Sequence, residues 1–126
     1  MPAVGMNHFT VLAKDLAATK DFYLGVLGLT DGHRPNLGFP GAWLYAGNAA
    51  VLHIIAGREL PADPQGVLDH MAFSANDLPG TVKALKDRGI SYDLRRQKES
   101  RVWQLFCFDP NGARVELDFD AGEAGP

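Results

Sequence analysis

The feature that most constrains this chain is an internal repeat. Displaced by 62 positions, His8 falls on His70, Ala13 on Ala75, Asp15 on Asp77, Leu16 on Leu78 and Thr19 on Thr81. A duplicated unit fixes the architecture before any single element is assigned, because whatever the first half forms the second must form again. Each half opens with a short strand that begins at a histidine, then Asp-Leu, then a helix.

In the first half, residues 7–13 read as a strand, and Asp15 reads as the N-cap of a helix over residues 16–26 that ends at Gly28. In the second, residues 68–75 are the strand, Asp77 the cap and Pro79 an early-turn proline, with the helix stopping at Gly89. Three extended runs follow each helix, at residues 29–34, 42–46 and 50–55, then at 91–96, 101–108 and 113–119. Turn chemistry separates them, most clearly Asp109-Pro110-Asn111-Gly112, so the pattern is an antiparallel meander and not alternating parallel units. The chain is therefore expected to be α+β, with two βαβββ modules over residues 6–56 and 68–119 forming an open, cup-shaped mixed sheet. A Pro- and Gly-rich linker at residues 57–66 joins them, within one domain over residues 1–126. The tail at residues 121–126 has little to bury and is expected to fray.

Composition narrows the function classes. With 126 residues and 46% hydrophobic content, the chain can build a core without disulfides. Cys107 is the only cysteine, which excludes a thiolate metal site or disulfide framework within one chain and agrees with a reducing compartment. The net charge of -3 comes from interspersed charges without a basic stripe, so nucleic acid is not expected as a partner. No apolar run approaches the roughly 20 residues that span a bilayer, and Met1-Pro2-Ala3-Val4-Gly5 lacks the pattern of an export leader. A cytoplasmic protein without membrane contact is the expectation.

Four polar side chains stand out on apolar strands: His8, His53, His70 and Glu116. The repeat relates them in pairs, His8 with His70 at the first strands and His53 with Glu116 at the last, the latter 116 − 53 = 63 positions apart. Residues so related suit one site on a pseudo-twofold axis between the modules. Imidazole and carboxylate donors favour a divalent transition metal, Zn, Ni, Mn, Fe or Co, over Mg or Ca. A carboxylate on the strand Arg114-Val115-Glu116-Leu117 also needs a cation or several donors beside it, since burying it unpaired is costly. His33 has no counterpart under the repeat and reads as a loop or strand-edge residue.

The segments Asn7-His8-Phe9 with Asp15-Leu16, Leu52-His53-Ile54-Ile55, Asp69-His70-Met71-Ala72-Phe73 with Asp77-Leu78, and Phe108 through Leu117 resemble the vicinal oxygen chelate superfamily. That superfamily includes glyoxalase I, extradiol dioxygenases, fosfomycin-resistance thiol transferases and bleomycin-resistance proteins. The resemblance implies paired βαβββ modules forming an open metal-holding cup, in a homodimer. It implies His8, His70 and Glu116 as a two-histidine, one-carboxylate ligand set, to which the repeat adds His53 as a fourth ligand or close neighbour. Open coordination positions would then take a small substrate through two adjacent oxygens. Glu116 would be the catalytic base where the reaction removes a proton next to a carbonyl. Members that resemble glyoxalase I often carry a carboxylate or Gln where His53 stands, which counts against glutathione-hemithioacetal isomerisation without removing it.

A metal-dependent enzyme of lyase, isomerase or dioxygenase type is thus the leading expectation. Two others stay open: a metal-free protein that sequesters a drug-like molecule, as bleomycin-resistance proteins do, and a thiol transferase of fosfomycin type. The latter needs cations to grip a phosphonate, for which Arg34, Arg96 and Arg101 are candidates. Phe39, Trp43, Tyr45 and Trp103 are candidates to line the cup, with Trp43 and Tyr45 on one strand face. Trp43, Tyr45, Arg101 and Trp103 are the expected substrate-binding residues.

Overall fold

The computed structural model describes residues 2–126. Met1, the first residue of the expected domain and of the leader reading, lies outside the described residues. The first unit runs β1 (Phe9–Ala13), α1 (Leu16–Gly25), β2 (Thr30–Gly32), β3 (Gly41–Ala46) and β4 (Ala49–Ala56). The second runs β5 (Met71–Ala75), α2 (Leu78–Asp87), β6 (Tyr92–Arg96), β7 (Trp103–Phe108) and β8 (Arg114–Phe119).

The helices start where their caps dictate. Asp15 stays extended and its Oδ1 accepts from the Ala18 amide at 3.1 Å. Asp77 does the same for Gly80, also at 3.1 Å, but from the left-handed region with φ 65°. Aspartate is among the few side chains that tolerate that conformation, so the equivalent caps are reached by different backbones.

Each unit forms its own four-stranded sheet, in the orders β1-β4-β3-β2 and β5-β8-β7-β6. Within each, the last three strands form the expected antiparallel meander, and the first strand adds to the last in parallel. The fold is therefore α+β with two mixed sheets and two helices, and neither sheet closes. β2 is only three residues, shorter than expected, because the chain leaves it for the connection at residues 33–40. β7 starts at Trp103 and not at Arg101. The amides of Glu99 and Ser100 donate to Gln97 Oε1, and Arg101 takes φ 63°, so residues 97–101 form a turn.

Alternation gives each sheet a buried and an open face. On the first sheet, Val11, Ala42, Leu44, Leu52 and Ile54 are buried in the core with Phe22 and Tyr23 of α1. On the second, Leu105, Cys107, Val115, Leu117 and Phe119 join Leu78, Val82 and Leu85 of α2 in the same core. Burial pushes the Cys107 thiol up to about 12, with Asp109 adding to it, so this cysteine behaves as an inert core residue.

The two units are tied through the β7–β8 turn. Tyr23 donates from its hydroxyl to Asp109 Oδ2 at 2.7 Å, and both residues are buried. Asp109 Oδ1 accepts from the amides of Asn111 and Ala113, which shapes the turn. Asn111 then reaches back, donating to Thr19 Oγ1 at 2.8 Å and accepting from the Lys14 amide at 3.0 Å. Burial, with Asp109 next to it, drives the Tyr23 hydroxyl far above the usual tyrosine range, so it remains a donor at any working pH.

The tail does not fray as the sequence suggested. Glu123 accepts from the amides of Asp77 and Leu78 at the start of α2, and its carbonyl accepts from Trp103 Nε1. Two unsatisfied helix-start donors thus find their acceptor at the far end of the chain. No helix among the described residues is long and apolar enough to cross a membrane.

Replacing Tyr23 with Phe leaves Asp109 Oδ2 buried without its donor. Urea unfolding should show a loss of about 1–3 kcal/mol. Asp109→Ala should cost more, because the turn amides lose their acceptor as well.

Candidate metal site

The open faces carry the chemistry. In parallel register Thr10 lies beside His53 and Ala72 beside Glu116. His8 and His70 stand two residues earlier on the same faces, so each first-strand histidine meets the polar residue of its last strand. His8 stacks on His53 with centroids 3.7 Å apart. His70 Nε2 lies 2.9 Å from Glu116 Oε1.

The repeat extends one residue further than the ligand candidates. Asn7 Oδ1 lies 2.7 Å from His8 Nδ1, and Asp69 Oδ2 lies 2.7 Å from His70 Nδ1. An acceptor on Nδ1 fixes the proton there and leaves Nε2 as the free donor atom, which is how metal-binding imidazoles are commonly oriented. Asn7 and Asp69 were visible in the sequence as neighbours of the histidines. Their role depends on side-chain direction, which the spacing does not reveal.

His70 therefore sits between two carboxylates. With Nδ1–H directed to Asp69, the short contact from Nε2 to Glu116 requires a proton or another cation between nitrogen and oxygen. Two donors each about 2.1 Å from one ion and at right angles would lie about 3 Å apart, so this pair fits adjacent ligands of a transition metal. Glu116 is 6% exposed, and its other oxygen accepts from Gln104 Nε2 at 3.2 Å. Hydrogen bonds from His70 and then Arg114 hold the Asp69 carboxyl below its usual range. Arg114 donates from Nη1 to Asp69 Oδ2 at 3.0 Å and lies over Phe106, as does Arg95.

The other pair is aromatic in character. Trp43 stacks on His53 with centroids 4.1 Å apart, so His53 is enclosed between Trp43 and His8. Burial, with His8 nearby, lowers the His53 pKa and favours the neutral imidazole that a metal requires. The expected single constellation is thus two pairs, one on each sheet. Among the described residues, no three His, Cys, Asp or Glu side chains converge as a metal cluster within the chain.

The expected substrate-binding residues separate. Trp43 is on the open face beside His53. Tyr45 shares that face by alternation, but its hydroxyl is committed to the His33 carbonyl at 2.6 Å. Trp103 pairs with the fully buried Phe119, on the face opposite Glu116, where it holds the tail and stacks with Arg96. It does not line the open face as the sequence suggested, because Gln104 and not Trp103 shares the parity of Glu116 and Asp118. Arg101 is exposed at the turn. A cavity of about 450 Å³ opens beside His70, between β1 and the linker, with Phe9, Pro64, Leu68 and Arg114 in its lining.

Asp118, two residues along β8 from Glu116 and on the same face, carries a buried oxygen with no partner. Burial, followed by its hydrogen bond to and the charge of Glu116, pushes its carboxyl up to about 6. An acid with a raised pKa in the folded state loses stability as pH climbs from its unfolded value toward the folded one. In chelator-treated protein, Asp118→Asn should therefore raise the melting temperature at pH 8 and leave it nearly unchanged at pH 4. Equal effects at both pH values would contradict this account.

Residues 5–117 match the family model of the Glyoxalase/Bleomycin resistance protein/Dioxygenase superfamily. The chain is 31% identical over 120 residues to "Glyoxylase I 4" of Arabidopsis thaliana, covering 89% of this chain and 68% of that protein. Among solved structures, the glyoxalase family protein from Enterococcus faecalis superposes with a TM-score of 0.64 at 27% identity, covering 90% of this chain and 96% of that one. A second is a mutant of the genomically encoded fosfomycin resistance protein FosX from Listeria monocytogenes, solved with Mn(II) and 1S,2S-dihydroxypropylphosphonic acid. It gives a TM-score of 0.74 at 17% identity over 94% of this chain and 93% of that chain, a likeness of fold. On the family match and the plant relative, this chain belongs to the glyoxalase, bleomycin resistance protein and dioxygenase superfamily.

Proposed function

We propose that this chain is a divalent-metal-dependent enzyme, of lyase, isomerase or dioxygenase type, acting on a small substrate that chelates through two adjacent oxygens. The observation that carries the reading is the 2.9 Å contact between His70 Nε2 and the buried Glu116, backed by Asp69 and Gln104 on the outer side of each. His8, His53, His70 and Glu116 would hold the ion, and the metal, once bound, would supply a Lewis acid for two substrate oxygens. Glu116 would be the residue for moving a proton at carbon, with Oε1 leaving the ion or acting from its shell to do so. Gln104 keeps its other oxygen occupied, and burial keeps water from competing. Trp43 offers an aromatic wall to a substrate at His53.

Each pair alone gives two donors, fewer than a metal site needs. We infer that a second copy of the chain completes the site, His8 and His53 of one facing His70 and Glu116 of the other. Met6 and Leu68 support this. They stand two residues ahead of His8 and His70, and are 70% and 76% exposed, with Val4 and Val67 beside them still more exposed. Apolar side chains left open at both half-sites favour coverage by another protein surface.

Elemental analysis of chelator-free protein should find one Mn, Fe, Co, Ni or Zn per site, lost in His70→Ala and in Glu116→Ala. Mixing a His8→Ala/His53→Ala variant with a His70→Ala/Glu116→Ala variant should then restore about a quarter of the wild-type metal content, because half the dimers are mixed and one of their two sites is intact. A site within one chain would restore none. Asp69→Asn should weaken metal affinity by about 10- to 100-fold without changing stoichiometry. Protein that takes up no metal would leave the metal-free binding reading in its place.

A further inference from the structure

Arg34 sits in the connection at residues 33–40, between β2 and β3, and its guanidinium lies over the backbone of Gly41. A Cβ at that position would come within 2.9 Å of Nη2 and would also meet the Ile54 carbonyl oxygen, so only glycine leaves room for the arginine. Gly41 is two residues from Trp43, on the face where Trp43 stacks on His53. The guanidinium is close enough to His53 for its charge to act on the imidazole. Arg34 thus stands on the open face, beside the His8–His53 pair.

Its Nε and Nη2 are buried and have no acceptor. Among the described residues, these are the only buried side-chain donors left without a partner. The two other arginines considered as oxyanion candidates differ. Arg96 donates to the carbonyls of Arg101 and Ala121 and stacks on Trp103, on the far face, and Arg101 is exposed at a turn. Buried donors are seldom left unpaired, and a charged pair less often still. Nε and Nη2 lie along one edge of the guanidinium and present two parallel N–H groups, the arrangement that matches two oxygens of a carboxylate or phosphate. Phe39 lies against the guanidinium with its centroid 4.9 Å from Cζ, and Arg58 reaches the same ring at 5.8 Å. Phe39 is 37% exposed and belongs to a connection without strand pairing, so it can move where a core side chain could not.

We propose that the Nε/Nη2 edge of Arg34 binds the oxyanion end, carboxylate or phosphate, of a small molecule whose other end lies at the His8–His53 pair, with Phe39 moving aside to admit it. The inference rests on the preceding reading for the position of the second end, and it adds an anionic group to the substrate class. The binding of the anion itself needs no metal.

The test uses the full chain, isotope-labelled and chelator-treated, titrated at constant ionic strength with inorganic phosphate and separately with acetate, following the Arg34 Nε–Hε resonance. A saturable shift with either anion is expected, and which of the two saturates first tells a phosphate ligand from a carboxylate. Arg34→Lys keeps the charge but loses the fork and should bind roughly tenfold more weakly. Arg34→Met should not bind, and Phe39→Ala should bind a few-fold more tightly because the cover is gone. No saturable shift in the wild-type chain with either anion overturns the proposal, as does equal affinity in Arg34→Met. Anion binding in protein that never takes up metal would sink the metal reading alone; stoichiometric metal without anion binding would sink the Arg34 proposal alone.

Discussion

In each unit the first strand hydrogen-bonds in parallel with the last, and the site follows from that pairing. Parallel register sets Thr10 beside His53 and Ala72 beside Glu116. The histidine two residues upstream then emerges on the same face at the strand's entrance. Alternation turns the intervening residues, Leu52, Ile54, Val115 and Leu117, into the core. A one-residue slip of either pairing would send the polar groups into the helix-covered side and the core side chains into the open, so the apolar face of each strand fixes its register and the polar face inherits it.

The repeat made most of this legible in the sequence. His8 with His70, and His53 with Glu116, could be paired from spacing alone, because duplication reports the symmetry of a fold directly. The caps at Asp15 and Asp77 were legible for the same reason. What could not be read were the consequences of side-chain direction and of contacts distant in sequence. Nothing in the spacing shows Asn7 and Asp69 turning onto the Nδ1 atoms of the histidines that follow them. Trp103 was misplaced because an unbroken apolar run from Val102 to Phe108 hides the alternation, and only the pairing with β8 shows that Trp103 lies opposite Phe119 on the core face while Gln104 lies opposite Asp118. The tail looked to have too little to bury to be ordered, yet Glu123 is held by the two free amides that begin α2. An acceptor that completes a helix start 45 residues away leaves no local trace in the sequence.

The tie between the units is polar where the cores are apolar. Tyr23, Asp109, Asn111 and Thr19 form a connected set in which each buried group has a partner, and the set spans α1 and the β7–β8 turn. Apolar contact alone would permit sliding of one sheet against the other. Directional bonds with buried partners do not, because each displaced donor or acceptor would be left unsatisfied. The relative placement of the two open faces is thereby set by the Asp109-Pro110-Asn111-Gly112 turn, the same segment that delivers β8 and Glu116.

The two half-sites have also diverged in charge. The first carries His8, His53 and Asn7, neutral donors, beside the unpaired Arg34. The second carries Asp69, Glu116 and Asp118 on the corresponding face. A doubly charged ion would be drawn first to the carboxylates, where Glu116 and His70 already lie at ligand spacing and where burial, then Glu116, raises the Asp118 carboxyl. The histidine half adds donors without adding negative charge, so in the proposed shared site the ion keeps a net positive charge with which to polarise substrate oxygens. A second carboxylate in place of His53 would cancel that charge. Under the proposed reading, the exchange of Glu116 for His53 between repeats would act in the direction of Lewis acidity, and Arg34, on the neutral side, would meet an anionic substrate group without competing against a carboxylate of its own half.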